Sequence, residues 1–267
     1  MQNRIIMRKL ILFIIIITLV SGCATDKTEK QLNNNDALLL SVLWYQKSAE
    51  MKALYLQSYN IAGMSLEKKL SGRKSSKPAA VILDIDETVL DNSPVEVAQI
   101  SDNLPFSDSL WLSWVAREEA GVLPGAAEFL NFANSKGVET FYVTNREYPQ
   151  EFQPTLNNLK KHNLPFADST HLLLKTDESS KGKRRAAIAE KYDVLMLIGD
   201  NLADLASDFD SRKEDLGFGA VDSNRHKFGV DFIVLPNPMY GPWINAALEG
   251  SEGSNKRDRI MKVLRGY

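Results

Sequence analysis

Ala79-Ala80-Val81-Ile82-Leu83-Asp84-Ile85-Asp86-Glu87-Thr88 is the stretch on which the reading of this chain turns. Its five consecutive apolar residues, bounded by polar ones, read as a strand buried on both faces, the kind found in parallel sheets. Two carboxylates follow at once. In an extended conformation Asp84 and Asp86 leave the same face, although a turn must begin nearby, so this geometry is approximate. Such a pair suits a division of labour: one carboxylate attacks phosphorus and the other moves a proton. Taken alone, Asp-x-Asp is a weak signal, because loops and calcium sites also carry it.

Working outward, the pattern recurs. Phe141-Tyr142-Val143 precedes Thr144-Asn145, and Val194-Leu195-Met196-Leu197-Ile198 precedes Gly199-Asp200-Asn201-Leu202-Ala203-Asp204. Phe232-Ile233-Val234-Leu235 is a fourth apolar run, closed by Pro236. Helices are expected between these runs, over 126–135, 154–161 and 181–191. Strands alternating with helices predict an α/β fold: a Rossmann-like, doubly wound parallel sheet with right-handed crossovers. In such sheets the site lies beyond the carboxyl ends of the strands. Asp84, Thr144 and Asp200 all sit at those ends.

Between residues 92 and 124 the alternation breaks. Phe106, Trp111, Trp114 and Val115 lie here, with helical spacing from Trp111 to Val115, and the stretch reads as a small, mainly helical insertion able to cover the site. Residues 36–78 read as an N-terminal helical region with Asp36 as N-cap, ending in a polar, basic linker from Ser71 to Pro78. Its apolar stripe is drawn through Ala37, Leu40, Leu43, Trp44, Met51, Leu54 and Tyr55. Tyr45, Tyr55 and Tyr59 read as aromatic packing of that region on the core, which is expected over 79–250. Arg257, Arg259, Lys262 and Arg265 mark a C-terminal tail, 251–267, read as a solvated helix face.

Asp200 and Asp204, four apart, fit a loop entering a helix with both acids facing one way. With Asp84 they make an oxygen-only set suited to Mg²⁺, a reading of Asp200 favoured over a helix N-cap. Zinc is disfavoured, because the only histidines, His162, His171 and His226, are scattered. Lys181 opens a helix and can neutralise phosphoryl charge, with Lys175 as a rival. The hydroxyl and backbone amides at Thr144-Asn145 can hold phosphoryl oxygens, or the pair can be a plain strand-to-loop turn.

With 32 basic and 34 acidic residues and no basic stripe, the chain lacks the charge for nucleic-acid binding. Arg4, Arg8 and Lys9 precede an apolar run from Leu10 to Val20, which reads as a signal peptide over 1–22 rather than a membrane span. Val20-Ser21-Gly22-Cys23 resembles a bacterial lipobox, and Cys23 is the single cysteine of the 267 residues. Lipidation of Cys23, a flexible tether over 23–35 and a lipid-anchored place in the cell envelope follow. Ala24 is not the aspartate that retains some lipoproteins at an inner membrane, which favours an outer membrane.

These islands resemble the four motifs of the haloacid dehalogenase (HAD) superfamily. The segments DIDETVLDN (Asp84 to Asn92), VLPGA (Val122 to Ala126), FYVTNR (Phe141 to Arg146), IGDNLAD (Ile198 to Asp204) and LPNPMYGPW (Leu235 to Trp243) are similar to its class C acid phosphatases, the lipoprotein e (P4) family of 5'-nucleotidases. The resemblance implies a HAD-like core with a small cap insertion and a Mg²⁺-dependent, membrane-anchored phosphomonoesterase. It implies hydrolysis of nucleoside 5'-monophosphates and related monophosphates through an aspartyl phosphate. Asp84 would be nucleophile and metal ligand. Asp86 would be general acid and base, binding the metal through its backbone carbonyl. Asp200 would bind the metal directly, with Asp204 in support. Thr144 and Lys181 would bind the phosphoryl group, and the Lys-x-x-Arg pattern of Lys181 and Arg184 prefers Lys181 to Lys175. Asn145, Arg146, Trp111 and Tyr240 would contact substrate, the last two by stacking on a base. Pro242 and Ala203 depart from the family pattern, where glycine and an acid are common. Activity should peak on the acid side, because Asp86 must start protonated. A nucleotide- or haem-binding lipoprotein and a phosphotransferase are the rival readings, and a homodimer is left open.

Overall fold

Residues 36–212, 215–253 and 255–266 are described by the structure, a computed structural model. The signal segment 1–22, Cys23 and the tether 23–35 lie outside the described residues. The elements run α1 (Asp36–Lys47), α2 (Ala49–Ser71), β1 (Ala79–Leu83), β2 (Leu90–Asp91), α3 (Ser93–Asp102), α4 (Asp108–Val115), β3 (Gly121–Val122) and α5 (Ala126–Ser135). They continue as β4 (Glu139–Glu147), α6 (Phe152–Lys161), β5 (Leu172–Lys175), α7 (Gly182–Lys191), β6 (Asp193–Gly199), α8 (Phe218–Ser223), β7 (Phe232–Val234), α9 (Pro242–Leu248) and α10 (Lys256–Val263).

All five residues of β1 are buried, as a central strand covered on both faces requires. Its side chains alternate between two cores. Val81 and Leu83 join Tyr142, Met196 and Ile198 against α2, α5 and α6, whereas Ala80 and Ile82 join Phe141, Val143 and Ile188 of α7. The sheet is parallel throughout, in the order β5-β4-β1-β6-β7. The chain therefore leaves β1 to one side for β4 and β5 and returns on the other for β6 and β7. That reversal opens a crevice beyond the carboxyl end of β1, where an α/β sheet places its site. The α/β doubly wound fold is as expected.

Four details differ from the sequence reading. Strand β5 was not anticipated: three leucines in a row over Leu172 to Leu174 hide the alternation in which Leu172 and Leu174 are buried. Strand β4 runs on past its apolar residues, so Thr144 and Asn145 lie within it rather than after it. Their stretch coincides with a register shift against β5, between the Val143↔Leu173 and Glu147↔Lys175 pairs. The N-terminal region is two helices, broken at Ser48, whose hydroxyl accepts from Met51 N at 3.0 Å. A stripe drawn straight across that break is right only in part: Met51 and Tyr55 are buried as expected, but Leu40, Leu43 and Leu54 are exposed, and Val42, Tyr45, Tyr59, Ala62 and Leu66, outside the stripe, are buried. The C-terminal tail is also more than a solvated face, because Arg259 in α10 donates to the carbonyls of Leu248 and Ser251 at 2.9 and 3.1 Å.

The insertion is α3 and α4, closed at its base by the antiparallel pairing of β2 with β3. Among the described residues, no helix is long and apolar enough to cross a membrane.

Candidate active site

The segment after β1 builds the site. Asp84 N still donates to Ile198 O of β6, at 3.0 Å, so the first carboxylate is fixed by the sheet itself. The chain then turns tightly: Ile85 O accepts from Thr88, Val89 and Leu90, and Glu87 takes a left-handed φ of 55°. Tyr55 and Tyr59 of α2 hold this turn from behind. Their hydroxyls donate to Glu87 O at 2.5 Å and Thr88 O at 2.7 Å, and Tyr45 meets the Tyr55 hydroxyl at 2.6 Å. The tyrosines are packing residues, as the sequence indicated, and they pack on the catalytic turn.

From β6 come Asp200 and, through a short 3₁₀ turn over Leu202–Asp204, Asp204. The turn carries its own cap. Asn201 Oδ1 accepts from Ala203 N at 3.2 Å, and Asp204 Oδ2 accepts from Asn201 N at 3.0 Å. A side chain at Gly199 would put its Cβ 2.5 Å from the Cβ of Asp204, so only glycine lets the turn fold back this closely. Asp84, Asp200 and Asp204 each offer an oxygen within 4.8 Å of the others.

Lys181, just ahead of α7, is buried beside this trio. Its Nζ donates to Asp84 Oδ1 and lies 2.6 Å from Asp204 Oδ1. Burial alone would pull its pKa down, but the carboxylates of Asp204 and Asp84 raise it further, so it stays an ammonium. Lys175 is elsewhere, paired with Glu147. Burial pushes the Asp84 carboxyl up to about 7 against the pull of Lys181, with Asp204 and Asp86 adding to the rise. Asp200 is held well above the usual carboxylate range by burial, then by Asp204 and Asp84. One ammonium against three clustered carboxylates would leave negative charge in excess. Together with an all-oxygen donor set, this fits a hard divalent cation.

Asp86 faces the other way. Its Oδ1 accepts from Arg146 Nη2 at 2.8 Å, Arg146 Nε at 3.0 Å and Asn92 Nδ2 at 2.8 Å, and its Oδ2 from Thr144 Oγ1 at 3.2 Å. Its carboxylate thus stands outside the acidic trio. Arg146 is buried, bonded also to Thr155 and Asn92 and stacked 5.4 Å from the Trp111 ring centroid. Trp111 Nε1 donates to Glu151. Asn145 is exposed, and its Oδ1 accepts from Arg184 Nη2 at 2.6 Å. Asp84, Asp86, Asp200, Asp204, Lys181, Asn145, Arg146, Trp111 and Tyr240 share one cleft of about 620 Å³. Thr144 is fully buried beneath it.

Several supporting residues were given no role by the sequence. Thr88 Oγ1 links the two motif strands, accepting from Asp200 N at 3.1 Å and donating to Asp84 Oδ2 at 3.4 Å. Asn237 donates to Asp200 Oδ2 at 2.9 Å. Arg185 is buried and donates to the carbonyls of Ala203 and Asp204 at 2.7 and 3.0 Å. Its place one turn into α7 was the available clue.

A carboxylate at the end of the central strand, with two further acids and a lysine beside it in the crevice, defines a phosphatase site of the HAD type. The family model for the HAD superfamily, subfamily IIIB (acid phosphatase), matches residues 23–243, and the chain belongs to that family. It is a phosphoric monoester hydrolase by membership. The structure of the class C acid phosphatase from Bacillus anthracis is 34% identical, with a TM-score of 0.80 over 88% of this chain and 99% of that one. The same enzyme with tungstate bound gives a TM-score of 0.79 at 34% identity, over 87% and 98%. The stem 31 kDa glycoprotein of Glycine max is 27% identical over 165 residues, 60% of this chain and 58% of that protein's length.

Proposed function

We propose that this acid phosphatase is Mg²⁺-dependent and is anchored at the cell envelope, in an outer membrane, through lipid on Cys23. Its substrates are nucleoside 5'-monophosphates and related monophosphates, nicotinamide mononucleotide among them. The observation that carries the reading is the convergence of Asp84, Asp200 and Asp204 beside Lys181, at the end of the central strand.

Asp84 attacks the phosphorus. The Asp84 Oδ–P bond forms as the ester P–O bond breaks, and Asp86 gives its proton to the departing alkoxide. Asp86, now ionised and held by Arg146, then takes a proton from water. That water attacks the aspartyl phosphate, releasing inorganic phosphate and restoring Asp84. Lys181 holds negative oxygens throughout, and the Thr144 hydroxyl, bonded to Asp86, orients the proton-transfer group. Asp84, Asp200, Asp204 and the backbone carbonyl of Asp86 are the groups to hold a divalent ion. Such an ion supplies further neutralisation of phosphoryl charge. Binding of tungstate, a phosphate-shaped oxyanion, by the Bacillus anthracis relative supports an oxyanion pocket here. Trp111 and Tyr240 border the same cleft and can stack a flat base. Dephosphorylation ahead of nucleoside uptake is the role such an enzyme would serve.

Phosphate release from a panel of monophosphates, with Mg²⁺ supplied and then removed by EDTA, tests the activity. Nucleotides should be turned over with the metal and not without it. Turnover that survives EDTA would reject the metal assignment. Added alcohol should give no new phosphate ester; if it does, the enzyme is a phosphotransferase. Labelled fatty acid should enter the wild type and not Cys23→Ala; equal labelling of both would reject the anchor.

A further inference from the structure

Glu96 is a buried acid for which phosphoryl transfer has no use. It sits on α3, one turn from Gln99, and both side chains face the cleft that holds Asp84, Phe106, Trp111 and Tyr240. Gln99 Nε2 donates to Glu96 Oε2 at 2.9 Å, which fixes the plane of the carboxyl group. Among the described residues no hydrogen-bond donor reaches Oε1. A buried carboxyl with one oxygen free of described donors, in a cleft also lined by Phe106, Trp111 and Tyr240, is placed to meet the polar edge of a flat ring.

We propose that Glu96 reads the hydrogen-bonding edge of the substrate's base, and that its protonation state sets which base is preferred. This rests on the nucleotide reading given above. A neutral carboxyl offers one O–H donor and one acceptor. That pair complements the ring nitrogen and adjacent amino group of adenine or cytosine. An ionised carboxylate offers acceptors only and complements the two N–H groups of guanine. A site built for one pattern leaves polar groups unpaired against the other, which costs affinity.

The surroundings of Glu96 allow both states near neutrality. Burial pushes its carboxyl up to about 7, against smaller opposing effects of the Gln99 amide and the Lys256 ammonium on α10. Of the helices packed on α3, α1 carries Lys47 and α4 carries Asp108, and neither contributes to this titration. Lys256 is the one charge in play among the described residues.

The test is kcat/KM for AMP and for GMP in Mg²⁺, from about pH 5.5 to about pH 8.5, with phenyl phosphate as a substrate lacking a base. The second ionisation of the phosphate is common to both nucleotides and cancels in their ratio. In the wild type the AMP:GMP ratio should fall by about tenfold as pH rises through about 7. In Glu96→Gln the amide presents a donor and an acceptor at every pH, so the ratio should stay high and flat. A ratio independent of pH in the wild type, or one that keeps its pH dependence in Glu96→Gln, would overturn the inference alone. Hydrolysis of phenyl phosphate with neither nucleotide accepted would overturn the nucleotide reading, and this inference with it.

Discussion

At the scale of the residue, the site is an electrostatic conflict held in place by the fold. Asp84, Asp200 and Asp204 are driven together by strand ends and a 3₁₀ turn, and Lys181 offsets only part of their repulsion. Burial, with the neighbouring acids adding to it, pushes the Asp84 carboxyl up to about 7, so the folded metal-free protein retains a proton there. Between the unfolded and folded values the native state binds more protons than the unfolded chain, so stability falls with rising pH. That contribution is complete below about pH 4 and lost through about pH 7. A divalent cation competes with those protons. Thermal melts of the metal-free protein should therefore show a lower Tm at pH 8 than at pH 5.5, and Mg²⁺ should raise Tm more at pH 8. An equal Mg²⁺ increment at both values would contradict this. Asp84 and Asp200 were legible in the sequence because each closes an apolar run, and Asp204 because it lies four residues after Asp200. The bracing roles of Thr88, Asn92, Arg185 and Asn237 were not legible, because residues that brace other residues carry no periodic signal of their own.

At the scale of the element, the N-terminal helices do more than cover a sheet face. In the turn after β1 Glu87 takes a positive φ, and the carbonyls of Glu87 and Thr88 depend on the tyrosine hydroxyls of α2 for their hydrogen bonds. A buried carbonyl left unpaired costs about 1–3 kcal/mol. Tyr59→Phe keeps the ring and loses the bond to Thr88 O, so denaturant unfolding should register a loss of about 1–3 kcal/mol. Turnover should fall with it, because Thr88 joins Asp84 to Asp200. A variant of unchanged stability and unchanged kcat would show that the clamp is idle. The helical character was readable from the spacing, and so was part of the buried face, Met51 and Tyr55, but not the face of α1. The break at Ser48 depends on a cap whose effect on phase shows only in three dimensions. Strand β5 escaped for a similar reason, since neighbouring leucines on an edge strand erase the alternation that marks it. The extension of β4 through Thr144 and Asn145 depends on pairing with β5 and so could not be seen without it.

At the scale of the whole molecule, one crevice serves two demands. Its floor, at the strand ends, is charged and common to any phosphate ester. Its walls come from the insertion, from the segment around Tyr240 and from Lys256 near the C-terminus, and these meet whatever the phosphate is attached to. The doubly wound sheet fixes the floor, and the departure at 92–124 from strand–helix alternation marked where a wall would be. The contribution of the C-terminal helix was not legible, because its alternating charges read the same way whether or not they face a cleft. The central claim is that Asp84 carries the phosphoryl group between its two transfers. Rapid acid quench during turnover, followed by borohydride reduction and peptide mass spectrometry, tests it directly, because an aspartyl phosphate is reduced to homoserine. The account predicts homoserine at position 84 and nowhere else, dependent on substrate. Homoserine at another aspartate, or none at all from an enzyme quenched in steady turnover, would contradict it.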